Sequence, residues 1–263
     1  YYVFVVSDPI AGGRPRGLVV ETNDTNNIRA TDVPMLVDLP PPSDLQVDAV
    51  IGPSTATVGD SVSVTLTVTN RGTQPARGSW FDTVYLSADG IWDYGDRLLG
   101  TANPPEGGRD LAPGESYTTT VQVLLPPALP GSYRLIARTD NFNDIFEGPR
   151  DDNNLGVGAD ALRVQVLSLT IGVPASLTLP ARGQAFYSVK AAAGETLEIQ
   201  FAGSAGLNEL YVAYEAVPSS LQFDASFEGG LQAAQTAVIP TTQAGTYFIL
   251  VRSQGAATAG TLN

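Results

Sequence analysis

From Ser61 to Thr69 apolar and polar residues alternate without a break, with Val62, Val64, Leu66 and Val68 set against Ser63, Thr65 and Thr67. A period of two sends one set to a buried face and the other to water, as in a half-buried β-strand. Asn70-Arg71-Gly72 then reads as a turn. The same signature recurs at short intervals. Leu45–Ile51, Trp80–Leu86, Arg97–Gly100 and Tyr117–Leu125 read as strands, with further ones marked by Tyr133, Leu135 and Ala137 and by Leu162, Val164 and Val166. Tyr117, Thr119, Val121, Val123 and Leu125 share one face, and Asp89-Gly90 marks a turn. About seven short strands over residues 43–167, with no helical period, predict an immunoglobulin-like sandwich of two antiparallel sheets.

A second β-unit is predicted after Leu167. Leu197, Ile199 and Phe201 alternate with Glu198 and Gln200. Leu177–Leu179, Phe186–Val189, Leu210–Tyr214, Val238–Ile239 and Tyr247–Val251 supply further strands. Ala181-Arg182-Gly183, Ala193-Gly194-Glu195 and Gln243-Ala244-Gly245 punctuate them. Ala259-Gly260-Thr261-Leu262-Asn263 reads as a closing strand that stops early. The fold class is therefore all-β, in tandem immunoglobulin-like or jelly-roll-like antiparallel β-sandwiches.

The N-terminal stretch repeats part of the first sandwich. Tyr1 to Asp8 (YYVFVVSD) parallels Tyr133 to Asp140 (YRLIARTD), and Val20-Glu21 with Asn26-Asn27 echoes Phe146-Glu147 with Asn153-Asn154. The first copy has the longer hairpin, containing Gly12-Gly13-Arg14-Pro15-Arg16. The expected layout is 1–39 as the closing strands of a partial module, 40–43 as a proline linker, 44–167 as a full sandwich and 168–263 as another. Two strands cannot bury the face formed by Val3, Val5 and Val19. The expectation is that both ends are completed by neighbouring residues of a longer polypeptide, or by strand addition from another copy to give a fibre. The alternative is that 1–39 pack as an extra hairpin on 43–167.

Composition narrows the chemistry. The 263 residues include no histidine and no cysteine. Ser-His-acid triads, Cys-His dyads, disulfides and histidine- or thiolate-bound metals are therefore excluded. A paired-carboxylate glycosidase is the hydrolytic arrangement left open, though such sites usually sit on larger folds with aromatic-lined clefts. The net charge of −13 and scattered arginines, with Lys190 the single lysine, argue against nucleic acid and anionic membranes and leave divalent cations as partners. No apolar run reaches the roughly 18 residues of a membrane span, so membrane insertion is not expected.

Two acidic loops are candidate Ca²⁺ sites, because hard cations take several oxygen ligands at short spacing. One holds Asp89, Asp93 and Asp96. The other holds Asp140, Asn141, Asn143 and Glu147, together with Asp144, Asp151 and Asp152. The competing reading makes the first an ordinary acidic β-turn, and in the second leaves Arg138 and Arg150 to relieve the repulsion. Asn153-Asn154 is expected to serve a bend through side-chain bonds to backbone. Trp80, on the face of Val84 and Leu86, is expected in the core, and Trp92, in the polar turn, is the better candidate for an exposed sugar contact.

Residues 43–167 resemble the cell-adhesion-related domain found in bacteria, CARDB. The resemblance rests on Thr67-Val68-Thr69-Asn70-Arg71-Gly72, on Ser79 to Ser87 (SWFDTVYLS), on Asp96-Arg97-Leu98-Leu99-Gly100 and on Leu111 to Tyr117 (LAPGESY), closed by Glu147 with Asp152-Asn153-Asn154. Residues 1–39 match the tail of that family. Residues 168–263 resemble the bacterial pre-peptidase C-terminal sandwich, through Ala193 to Leu197 (AGETL), Glu209-Leu210-Tyr211-Val212, Val217-Pro218 and Ala244 to Val251 (AGTYFILV). The acidic residue often found after the proline is displaced to Asp224. The resemblance implies modules of very large exported proteins, used as spacers, adhesive units or appendages of secreted enzymes, and no catalytic residues. Neighbouring modules of the same or identical chains, and cell-surface glycan, are the expected partners. The expected function is a structural and adhesive repeat module at the bacterial surface. The alternative is a carbohydrate-binding or targeting appendage of a secreted hydrolase.

Overall fold

The computed structural model describes residues 1–9, 18–23, 25–37, 41–104 and 110–263; the Gly12–Arg16 hairpin segment and Leu39-Pro40 of the linker lie outside the described residues. Contacts divide the chain into two units, Tyr1–Pro41 and Pro42–Asn263. In the first, β1 (Phe4–Val6) pairs antiparallel with β2 (Ile28–Ala30).

The second unit opens with β3 (Leu45–Ile51), β4 (Thr55–Thr57), β5 (Ser61–Asn70), β6 (Asp82–Ser87), β7 (Arg97–Ala102), β8 (Ser116–Leu124), β9 (Gly131–Arg138) and β10 (Leu155–Gln165). They form a three-stranded sheet, β3-β5-β8, and a five-stranded sheet, β4-β10-β9-β6-β7. The alternation works as the sequence predicts: Val62, Val64, Leu66 and Val68 are buried, as are Val121 and Val123 from the neighbouring strand β8 and Leu135 and Ala137 from β9 in the other sheet. Each such valine or leucine side chain contributes about 1.5–3 kcal/mol by leaving water. Trp80 is buried as expected, but it precedes its strand, which begins at Asp82.

β4 is a strand that sequence periodicity does not reveal. Its three residues are too few to show a period, and it is held by parallel pairing with the end of β10. The Asn70-Arg71-Gly72 turn is organised by the buried Asn70 side chain. Its Oδ1 accepts from the N–H groups of Asp44 (3.1 Å) and Gly72 (3.0 Å), and its Nδ2 donates to the carbonyls of Gln74 and Leu111 (both 2.8 Å). A Cβ at Gly72 would lie 2.6 Å from Ser43 backbone atoms, so only glycine fits there.

The second sandwich comprises β11 (Leu167–Ser168), β12 (Ala175–Leu179), β13 (Gln184–Ala191), β14 (Leu197–Gly203), β15 (Asn208–Tyr214), β16 (Ala225–Ser226), β17 (Ala234–Ile239), β18 (Gly245–Ser253) and β19 (Thr258–Leu262). Its sheets run β11-β13-β18-β15-β16 and β12-β19-β14-β17. The strand expected to stop short near residue 259 instead lies inside its sheet. It pairs along its length with β12 and through its last residues with β14, and Leu262 is fully buried.

A single residue, Val166, separates β10 from β11, and β11 at once pairs parallel with β13 through Leu167–Tyr187 and Ser168–Ser188. Phe186 and Phe248 stack with ring centroids 5.6 Å apart and planes 7° apart. With Leu250 they belong to the same buried apolar cluster as Leu125, Leu162 and Val164 of the first sandwich.

Candidate functional site

The chemistry-bearing residues of the first sandwich gather in the β6–β7 turn and the β9–β10 connection. In the β6–β7 turn each carboxylate is engaged by its own loop. Asp89 Oδ1 accepts from Ile91 N–H (2.8 Å) and Ser87 Oγ–H (3.1 Å), Asp93 Oδ1 from Gly95 N–H (2.6 Å), and Asp96 Oδ2 from Asp93 N–H (3.1 Å). These bonds shape the turn by the usual side-chain-to-backbone capping of Asp.

The β9–β10 connection is held the same way. Asp140 is buried with φ +44°, and its two oxygens accept from Asp144 N–H (2.8 Å) and Ile145 N–H (3.0 Å). Asn141 Oδ1 accepts from the hydroxyls of Thr83 (3.2 Å) and Tyr85 (3.3 Å). Asn143 sits at φ +60°, with its N–H on Asp140 O. Glu147 is fully buried; it accepts from Leu45 N–H at the start of β3 and from Asn154 Nδ2. Burial pushes Glu147 up to about 7, against the lowering effect of those two donors, and also raises Asp140.

The structure thus divides the two candidate groups between separate loops and gives each of these carboxylates chain donors. Among the described residues no group of three or more Asp, Glu, His or Cys is placed to hold a metal ion. The expected relief by arginine takes another form. Arg150 pairs with Asp44 (3.2 Å), and the Arg138 guanidinium lies 4.1 Å from the centre of the Trp92 ring. The side chains of Asn153-Asn154 bond to the carboxylates of Asp44 and Glu147 rather than to backbone, because those acids are buried beside them and need donors. Asp224 of the second sandwich accepts from Tyr214 N–H (2.7 Å).

Sequence reasoning missed a buried network behind Trp80. Trp80 Nε1–H donates to Tyr117 Oη (3.0 Å), whose hydroxyl donates to Asp82 Oδ2 (2.6 Å). Asp82 is fully buried, its Oδ1 has no hydrogen-bond donor among the described residues, and burial pushes the acid up to about 6. An acidic residue in the otherwise apolar-patterned Trp80–Leu86 run was the available signal.

An aromatic group surrounds Arg138. Trp92 is half-buried, with ring centroids 6.1 Å from Tyr85 and 5.5 Å from Tyr94. Tyr94, rather than Trp92, is the exposed ring, at 98%. The open groove of about 540 Å³ at the end of β10 is lined by Thr57, Pro130–Ser132 and Arg163–Leu167, with no carboxyl group among them.

Among solved structures the chain is similar to the CARDB domain of a Pyrococcus furiosus protein in complex with di-metal ions, at 23% identity, TM-score 0.34, covering 47% of this chain and 94% of that one. It is also similar to the pre-peptidase C-terminal domain of collagenase from Bacillus anthracis, at 12% identity, TM-score 0.32, covering 38% and 95%. A partial similarity to a Listeria innocua β-glucosidase, at 18% identity and TM-score 0.30, covers 46% of this chain and 16% of that enzyme. No curated protein matches the chain. The family matches follow the two sandwiches in order: residues 42–157 match the CARDB family model, and residues 183–253 match that of the bacterial pre-peptidase C-terminal domain.

Proposed function

We propose that this chain is a non-catalytic structural and adhesive repeat module of a large extracellular or cell-surface bacterial protein. The observation that supports this most is the junction. One residue separates the last strand of the CARDB sandwich from the first strand of the next, and one apolar cluster runs across both. Such a joint transmits position and load from module to module, where a flexible tether would not. The Asp140 carboxylate serves as a backbone acceptor in its loop, and the groove at the end of β10 is lined by no carboxyl group. Among the described residues no helix is long and apolar enough to cross a membrane. Adhesion is tested with chain-coated beads on bacterial envelopes, which should be retained above albumin-coated beads; equal retention removes the adhesive role. Turnover of a glycan or peptide, lost on mutating one carboxylate, would contradict the non-catalytic role.

A second reading, a glycan-targeting appendage, draws on the exposed Tyr94 beside Trp92 and Arg138. Aromatic faces flanked by polar groups suit sugar rings. On this reading Tyr94→Ala lowers retention on a polysaccharide column; an unchanged elution volume rejects it. Calcium at Asp89, Asp93 and Asp96 or at Asp140, Asn141, Asn143 and Glu147 would have to displace the backbone donors these residues now hold. A ligand specific to the folded state raises its stability by about 2.7 kcal/mol at a hundredfold excess over its Kd. Equal melting temperatures in millimolar Ca²⁺ and in chelator exclude it.

A further inference from the structure

The N-terminal unit and the β9–β10 connection agree bond for bond. β1 and β2 pair Phe4–Ala30, Val5–Arg29 and Val6–Ile28. β9 and β10 pair Ile136–Val157, Ala137–Gly156 and Arg138–Leu155, which is the same register once Tyr1 is laid on Tyr133 and Asn26-Asn27 on Asn153-Asn154. Ser7 N–H donates to Asn27 O (2.8 Å) as Thr139 N–H donates to Asn154 O (3.0 Å). Asp8 takes φ +43° where Asp140 takes +44°. The Asp8 carboxylate accepts from Leu18 N–H (2.7 Å) and Val19 N–H (2.9 Å), one on each oxygen, as Asp140 does from Asp144 and Ile145. Glu21 follows Val19 by two residues, as Glu147 follows Ile145. A positive φ at a non-glycine residue, capped by the same two-donor carboxylate, is too particular to arise from a generic hairpin.

The surroundings differ. In the complete sandwich β9 lies between β10 and β6, with Ile136 opposite Tyr85 and Arg138 opposite Thr83, and Leu135 and Ala137 are buried in the core. Among the described residues β1 has β2 on one side, in a sheet of two strands. Its matching core residues Val3 and Val5 are 44% and 66% exposed, and Phe4 is 64% exposed. Antiparallel pairing alternates, so Val5 bonds toward Arg29 while Phe4 and Val6 turn their N–H and C=O groups to the other edge.

We propose that residues 1–37 are the closing hairpin of a second sandwich of the CARDB kind, and that the outer edge of Phe4–Val6 docks a strand equivalent to Asp82–Ser87. The occupant is the remainder of such a sandwich, a three-stranded sheet over Val3 and Val5 with that strand on the edge. Glu21 then takes the N–H that opens the occupant's first strand, as Glu147 takes that of Leu45. One position is not conserved in kind: Arg29 stands where Gly156 lies against Val47, close enough that a Cβ would meet the valine side chain at 2.5 Å. The occupant therefore leaves room there for an arginine. The inference concerns the fold of the hairpin and is independent of the adhesive reading.

The test extends the full chain at Tyr1 with a copy of its own residues 42–132, once with the native hairpin and once with Arg29→Gly, and follows amide hydrogen exchange. The amides of Phe4 and Val6 are expected to slow by on the order of 100-fold in at least one extended chain, while Val5, already bonded to β2, serves as the internal reference. An extension of scrambled sequence should leave them fast. If Phe4 and Val6 exchange in both extended chains as in the unextended one, the proposal is overturned.

Discussion

Among the described residues the first sandwich buries four carboxyl groups, Asp44, Asp82, Asp140 and Glu147, and the second buries no carboxyl, ammonium or guanidinium group. Both must tie long connections to the ends of their sheets. The first does it with ions. Glu147 and Asp44, with Arg150, Asn153 and Asn154, fasten the β9–β10 connection to the start of β3. The second does it with neutral groups. Asn208 Nδ2 donates to the carbonyls of Ala205 (3.1 Å) and Ala233 (2.8 Å), and the Thr242 hydroxyl donates its one proton to the carbonyl of Ala192, with that of Glu195 also within reach at 3.1 Å. Buried carboxylates accept several backbone donors at once but are costly to desolvate, so their charge becomes a pH-dependent part of stability. Neutral caps give the same connectivity without that dependence.

The largest effects come from the cores. Trp80→Ala and Phe201→Ala should each cost about 3–5 kcal/mol, one in each sandwich. Only Trp80→Ala also strips a donor from Tyr117 and so disturbs Asp82. Denaturant melts at several pH values should show an altered pH dependence for the first variant and an unaltered one for the second. Equal behaviour would erase the contrast.

The pH dependence itself comes next in size. Folding raises Glu147 from 4.5 to about 7 and Asp82 from 3.8 to about 6. Between those values the folded state holds the protons that the unfolded state has released. Stability therefore falls as pH rises from about 4 to about 7, by roughly 3 kcal/mol for Glu147, and levels off above. Glu147→Gln should flatten most of that fall between pH 4.5 and 7. A variant that keeps the full slope would place its origin elsewhere.

Asn208→Ala should cost about 1–3 kcal/mol, by leaving the carbonyls of Ala205 and Ala233 short of a donor, and by the same amount at pH 4.5 and 7. A pH-dependent cost would mean that the second sandwich also relies on charge. The smallest effect is at Tyr94, where replacement by Ala should move stability by less than about 0.5 kcal/mol, since the ring is 98% exposed.

The sequence reveals the long strands because each shows its period over many residues, as Ser61–Asn70 does. It does not reveal Thr55–Thr57, Leu167–Ser168 or Ala225–Ser226, which two or three residues cannot mark and which exist through their partners. The loop acids show a similar limit. A tight turn with oxygen side chains is what both a cation site and a self-capped turn require, so Asp89-Gly90 and Asp140-Asn141 read alike for either role. Only the placement of Ile91 N–H on Asp89, or of Ile145 N–H on Asp140, shows what the oxygens do here. Glu147 carried no sign of its burial, because a single acid in a loop looks the same whether it faces water or the core.

The account rests on the two sandwiches behaving as one stiff unit across Val166. The chain has no cysteine, so Ser63→Cys and Gln200→Cys, both exposed, allow clean spin labelling of one site in each sandwich. Pulsed dipolar spectroscopy should give a single narrow distance distribution that persists with glycine substituted at Val166, because the shared cluster around Phe186, Phe248 and Leu250 also holds the joint. A broad or multi-peaked distribution in the unmodified junction would contradict the account.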